Sequence, residues 1–418
     1  LKIMIDMRNI ALTFLGCFTI LAACSNSDDA EKPVAPIPTG DVTIYSTTNS
    51  LTRDLTRDAV NFSLKDNLAP TSITLNPTEQ YQTMDGFGVA ITGATCFNLL
   101  QMKPEDRHAF LTETFSDDKG FGFSYIRISI GCSDFSLSEY TCCDKKGIEN
   151  FALQSEEKEY ILPILKEILD INPSIKIIAA PWTCPTWMKV KSLTDLTPFE
   201  SWTNGQLNPA YYQDYATYFV KWVQAFNAEG IDIYAVTPQN EPLNRGNSAS
   251  LYMSWEEQRD FVKTALGPKF KTAGLATKIY AYDHNYDYSD IETEKNYPGK
   301  MYEDPAASQY LAGAAYHNYG GNREELLNMH KAYPEKELLF TETSIGTWNS
   351  GRDLSKRLLE DMKEVALGTI NNWCKGVIVW NLMLDNDRAP NREGGCQTCY
   401  GAVDISNSDY KTIIRNSH

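Results

Sequence analysis

Two glutamates in this sequence stand where a carboxylate is costly to place. Thr237-Pro238-Gln239-Asn240-Glu241-Pro242 closes an apolar run that begins at Ile233, and Phe340-Thr341-Glu342-Thr343 closes one that begins at Leu338. A buried charge is unfavourable unless compensated. Two carboxylates that face each other raise one pKa and leave the other ionised. Glycosidic cleavage needs that pairing: an acid to protonate the leaving oxygen and a carboxylate to attack the anomeric carbon. Either Glu alone reads as a loop cap or as a partner for Arg127. Two of them, three strands apart and with Asn240 adjoining, favour chemistry. Acid, base and covalent steps use these side chains alone, so no organic cofactor is expected. Five His and no H-E-x-x-H leave little material for a metal. Cys396-Gln397-Thr398-Cys399 lacks two further ligands at zinc spacing but can close a small disulfide loop.

The segments that must position these groups alternate. Short β-branched runs occur at 85–92, 124–130, 175–181, 233–238, 278–283, 312–317, 338–342 and 376–381. Stretches of helical periodicity lie between them, at 103–115, 155–169, 209–228, 255–273, 323–332 and 354–371. Ser155-Glu156-Glu157-Lys158-Glu159, followed by Ile161, Leu162, Ile164, Leu165 and Ile168, shows an acidic first turn and one apolar face. Eight such units over about 300 residues imply an α/β fold, a (β/α)8 barrel with its chemistry at the strand C-termini. A doubly wound sheet is the rival, but Gly86-Phe87-Gly88 is too tight for a phosphate loop and lies within a strand. Residues 41–83 fall outside this alternation, with strands expected at Val42–Thr47 and Ser72–Leu75.

Composition narrows the partners. The 418 residues are 42% hydrophobic and 22% charged, which suits a globular chain and neither a disordered nor a multi-span one. With 38 Lys and Arg against 54 Asp and Glu, the net charge of −16 excludes the basic footprint that nucleic acid requires. Residues 10–23 form an apolar stretch behind Arg8, too short to span a bilayer. It ends in Leu21-Ala22-Ala23-Cys24, which resembles a bacterial lipobox and implies a lipid on the Cys24 thiol. Residues 25–40, polar and Pro-rich, read as a tether. The expected location is the bacterial cell envelope, with the membrane touched through this anchor alone.

Beyond the two glutamates, a series of motifs resembles glycoside hydrolase family 30 of clan A. Asp85-Gly86-Phe87-Gly88-Val89-Ala90-Ile91-Thr92 is similar to its first-strand motif, and Arg127-Ile128-Ser129-Ile130-Gly131-Cys132-Ser133-Asp134-Phe135-Ser136 to its second. Pro181-Trp182-Thr183-Cys184-Pro185-Thr186-Trp187-Met188-Lys189 is similar to its third. Tyr280-Ala281-Tyr282-Asp283-His284-Asn285, Tyr316-His317-Asn318-Tyr319 and Trp380-Asn381-Leu382 follow in order. Many relatives carry Trp where Asn318 stands, which leaves the pocket wall open to difference.

The resemblance implies Glu241 as general acid/base and Glu342 as nucleophile of a retaining enzyme. It implies that Asn240 holds the sugar 2-hydroxyl, that Arg127 keeps the nucleophile ionised, and that Asp134 and Trp182 grip hydroxyls of the cleaved glucose. Trp380 would be the stacking floor, Tyr319 a hydrogen-bond partner of the nucleophile, and His317 a brace. The family packs a β-sandwich against its barrel. Residues 41–83 would start it and 406–418 would begin its C-terminal strands, leaving this chain short of the rest and its sandwich edges open. The barrel itself would occupy 84–405. The motif wording is nearest the bacterial endo-β-1,6-glucanases, with β-glucan as substrate. The alternatives are an exo-acting glucosylceramidase or β-glucosidase, a xylanase, and a non-catalytic glycan-capture lipoprotein.

Overall fold

The computed structural model describes residues 38–63 and 73–418. Cys24, the apolar stretch before it and the tether up to residue 37 lie outside the described residues. Two units emerge. The first contains an antiparallel ribbon in which Val42–Ser46 pairs with Thr56–Val60. The expected strand at Val42–Thr47 is there, but its partner is Thr56–Val60. Residues 73–75 form no strand, and Ser72 lies outside the described residues. Both ribbon strands are largely exposed, so the partner shows no apolar alternation from which a strand could be read.

The second unit is a closed barrel of eight parallel strands. In chain order these are β1 (Gly86–Ala90), β2 (Tyr125–Ser129), β3 (Lys176–Ala180), β4 (Ala235–Val236), β5 (Lys278–Asn285), β6 (Leu311–His317), β7 (Glu337–Glu342) and β8 (Cys374–Val379). Each pairs with its neighbours in sequence, and β8 closes on β1. The doubly wound alternative is thereby excluded. All eight expected strands form. β4 is cut to two residues because Pro238 offers no amide to the ladder.

Successive side chains on each strand alternate between the helices outside and the barrel interior. Ile126 and Ile128 of β2 join the outer core with Trp222, Phe226 and Leu165. Tyr125, Ile178, Ala235, Tyr280, Ala315, Leu339 and Ile378 fill one inner layer. Below it, Lys278 and Lys375 pair with Glu337, and Lys176 and Lys375 pair with Asp85, closing the N-terminal end with charge. The six expected helices form with small shifts of boundary. The helix Gly93–Gln101 was not expected; Thr92 caps it by accepting from the Thr95 amide at 3.2 Å.

Over the C-terminal end of the barrel the loops pair among themselves. Ile345–Gly346 is antiparallel to Cys399–Tyr400, beside the Cys396–Cys399 disulfide. Met383–Asp385, Val403–Ile405 and Ile413–Arg415 make a three-stranded sheet, the last supplied by residues 406–418. Among the described residues six further cysteines are free and buried, Cys142 and Cys143 among them. Among the described residues no helix is long and apolar enough to cross a membrane.

Candidate active site

One turn above the Tyr125 layer, β2 sends Arg127 into the barrel, fully buried. Its Nη1 donates to Glu342 Oε2 at 2.5 Å, and its Nη2 donates to Asn240 Oδ1 at 2.7 Å and to Asp283 Oδ2 at 2.8 Å. Four strand ends, of β2, β4, β5 and β7, thus meet on one guanidinium. Charge-assisted bonds of this kind both neutralise and orient. Asp283 also accepts from Thr237 Oγ1 at 2.7 Å and Thr341 Oγ1 at 2.6 Å, and lies 3.0 Å from His317 Nε2. Burial would raise the Asp283 carboxyl, but Arg127 and then His317 hold it well below the usual carboxylate range.

Glu241 stands opposite Glu342. One oxygen of each, with a His317 ring nitrogen, lie within 4.8 Å of one another, the spacing of a direct-attack pair, about 5–5.5 Å between carboxyls. The same three residues could ligate a cation, but Arg127 already supplies the positive charge there. Glu342 Oε1 is 3.0 Å from Tyr319 Oη, which is 2.8 Å from Ser344 Oγ. Glu241 Oε2 accepts from Asn244 Nδ2 at 2.8 Å and Asn247 Nδ2 at 3.2 Å; its Oε1 is 3.4 Å from His317 Nδ1. Backbone strain collects at these strand ends, with φ of +45° at Glu241, +79° at Asp283 and +76° at Asn381.

The two glutamates titrate as a unit. Burial raises both. His284 and His317 pull Glu241 down to about 2, whereas Glu342 stays raised against the charges of His317 and Arg127, with Glu241 adding to the rise. The lowering of Glu241 comes first from His284 and then from a proton on His317. Burial disfavours that proton, but Glu342, Asp283 and Glu241 together hold it, taking His317 up to about 9. Shifting it from Nδ1 to Glu241 Oε1 gives a neutral imidazole and an uncharged acid, with no change in total charge. Glu342 keeps the guanidinium and the phenol as its donors. His284 is pushed down to about 4 by burial. Its Nδ1 accepts from the Leu243 amide at 3.4 Å, so its Nε2 carries the proton and faces Glu241 Oε1 at 3.8 Å.

The remaining residues line the floor. Trp182 and Trp380 stack on each other, centroids 5.0 Å apart, and the Arg127 guanidinium sits 5.1 and 5.2 Å from their rings. Trp380 Nε1 and Asp134 Oδ1 are buried without hydrogen-bond partners, which suits hydroxyl recognition. Burial, then Glu342 and Glu241, pushes Asp134 up to about 7. A Cβ on Gly395 would collide with the Asp134 carbonyl, so loop 386–402 lies flat on this residue. Arg392 of that loop donates to Ser133 O at 2.8 Å and Ser248 O at 2.6 Å.

Residues 84–406 match the glycosyl hydrolase family 30 TIM-barrel domain. The chain belongs to that family. A solved structure described as the endo-beta1,6-glucanase BT3312 is 88% identical, with a TM-score of 0.89, over 91% of this chain and 82% of its own. The Endo-1,6-beta-D-glucanase BGN16.3 of Trichoderma harzianum is 32% identical over 79% of this chain and 66% of its own length. Putative glucosylceramidase 4 of Caenorhabditis elegans is 28% identical over 87% and 71%. The chain thus spans about two thirds of the length of these two curated relatives.

Of the site residues expected from sequence, Arg127 lies within β2, His317 and Glu342 end β6 and β7, and Asp134, Trp182, Asn240, Glu241, Tyr319 and Trp380 lie in the segments that follow β2, β3, β4, β6 and β8. Asn318 is half-buried beside His317. Missing from the expectation were Asp283, His284, Asn244, Asn247 and the two threonines. Asp283-His284 at the end of β5 carried a signal of the same kind as Glu241, a buried acid closing an apolar run. A raised histidine pKa gives a sign for stability. Native His317 binds its proton up to about 9 and the unfolded chain up to about 6.5, so the contribution is complete below pH 6.5 and is lost as pH rises through 9. Urea unfolding across pH 6–10 is expected to show a fall in stability that is absent in His317→Gln; parallel curves would refute the assignment.

Proposed function

We propose that this chain is a retaining endo-β-1,6-glucanase that cleaves β-glucan by double displacement. The observation that carries the reaction class is the facing Glu241/Glu342 pair on its Arg127 anchor. The 88% identical endo-β-1,6-glucanase supports the linkage.

The chemistry follows from the partners. Asn240 Oδ1 is occupied by Arg127, so its amide nitrogen is the group left to donate to the sugar 2-hydroxyl, a bond that strengthens toward the transition state. Glu342 attacks the anomeric carbon while Glu241 gives its proton to the departing O6 of the next glucose. The Glu342 ester closes the first displacement. Glu241, now ionised, takes a proton from water, whose oxygen attacks the same carbon and frees Glu342. Two inversions retain the β configuration. Asp134, Trp182 and Trp380 hold the cleaved glucose, and His317 braces Glu241 through Nδ1 while Asp283 fixes its Nε2.

The Leu21-Ala22-Ala23-Cys24 sequence supports a further part of the reading, that the enzyme is held at the bacterial cell envelope by a lipid on Cys24. Cys24→Ser is expected to move the protein from the detergent-extracted membrane fraction to the soluble one; an unchanged distribution would refute the anchor.

Soluble β-1,6-glucan is expected to give a ladder of short oligosaccharides, absent with Glu342→Gln. Glucose as the first product would instead indicate exo action. Glu241→Gln is expected to lose about 10²–10⁴-fold on glucan. It should lose far less on an aryl β-glucoside, whose leaving group needs no proton. Equal losses on the two substrates would deny Glu241 the acid role.

A further inference from the structure

From Thr341 to Gly346 the chain leaving β7 is buried, and then it places an indole in water. Trp348 is 53% exposed, six residues after Glu342. Leaving so large an apolar ring in solvent forgoes the burial that stabilises most tryptophans. The ring is nonetheless fixed. A Cβ at Gly346 would collide with it, so the indole lies directly against the backbone there. That backbone is tied on every side. Gly346 N donates to Asn349 Oδ1 at 2.9 Å, Asn349 Nδ2 to Ser344 O at 3.3 Å, and Gly351 N to Gly346 O at 3.1 Å. Thr347 N donates to Thr398 O at 2.9 Å, next to the disulfide-closed turn of Cys396 and Cys399. The same loop reaches the chemistry, because Ser344 Oγ holds the Tyr319 hydroxyl that lies on Glu342.

The side of the site follows from the order of strands. Side chains from β2, β3 and β8 surround the cleaved glucose: Asp134, Trp182 and Trp380. Glu241, which protonates the leaving oxygen, belongs to the opposite arc from β4 to β7. The departing sugars therefore run out over that arc, and the loop after β7 forms its rim. A rigid aromatic face there costs little entropy on binding and matches the apolar C–H face of a pyranose.

We infer that Trp348 is the stacking platform for a glucosyl unit on the leaving-group side of the scissile bond. The inference rests on the glucanase reading and adds to it a site that selects for chain length. The flexible 1,6 linkage leaves the sugars beyond the cleaved bond loosely ordered, and the platform restores that order.

The test compares kcat/KM for a β-1,6-linked glucotetraose with kcat/KM for an aryl β-glucoside, in the wild type, Trp348→Ala and Trp348→Phe. The ratio is expected to fall about tenfold or more in Trp348→Ala, as for loss of an aromatic anchor, chiefly through KM, and to recover largely in Trp348→Phe. An unchanged ratio in Trp348→Ala, with the wild type cleaving glucotetraose, would overturn the platform and leave the glucanase reading intact. A wild type that cleaves the aryl glucoside but no β-1,6 oligosaccharide would overturn the glucanase reading, and the platform with it.

Discussion

The site depends first on one buried guanidinium. Arg127 has no exposure to solvent, and a guanidinium taken out of water is tolerated only among well-placed acceptors. It has three: Glu342 and Asp283 on β7 and β5, and Asn240 in the segment after β4. The dependence is mutual. Without Arg127, Glu342 and Asp283 would be two buried negative charges with only His317 to compensate them. Without Asp283, Arg127 would be free to swing toward Glu342 alone, and Asn240 would lose its fixed amide orientation. Asp283 passes the constraint on to His317, and His317 to Glu241. A chain of hydrogen bonds from β2 to β7 therefore sets Glu342, Glu241 and Asn240 by one geometry.

That geometry requires a closed barrel. Arg127, Glu342 and Asp283 are 215 and 156 residues from one another in the chain, as counted from Arg127. Only strand closure, with inward side chains stacked in layers, brings them to hydrogen-bond distance. The Tyr125 layer beneath, sealed by Glu337, Lys278 and Lys375, keeps water from entering from the other end. Above, the loops pair among themselves over the strand C-termini.

Much of this is legible in the sequence because periodicity and burial leave marks in residue type. Eight β-branched runs with helical stretches between them announce the barrel, and an acid at the tip of such a run stands out. Less legible is whatever depends on partners distant in the chain. Asp283 and His284 sit in a visible motif, yet nothing local says that the first binds Arg127 and the second faces Glu241. The strand Thr56–Val60 is written in Arg, Asp and Thr because neither face is buried, and so resembles loop. Trp182 and Trp380 are conspicuous as aromatics, but that they stack on each other across β3 and β8 is a property of closure. Trp348 passes for an ordinary surface tryptophan until the Gly346 backbone beneath it is seen.

The central claim is that Arg127 and Tyr319 hold Glu342 as the nucleophile while Glu241, given a proton by His317, acts as the acid. Trapping with an activated 2-deoxy-2-fluoroglucoside, followed by peptide mass spectrometry, tests it directly. The sugar should be found as an ester on Glu342 in the wild type and on no residue in Glu342→Gln. A label on Glu241, or steady turnover to the α-anomer with no ester formed, would contradict the account.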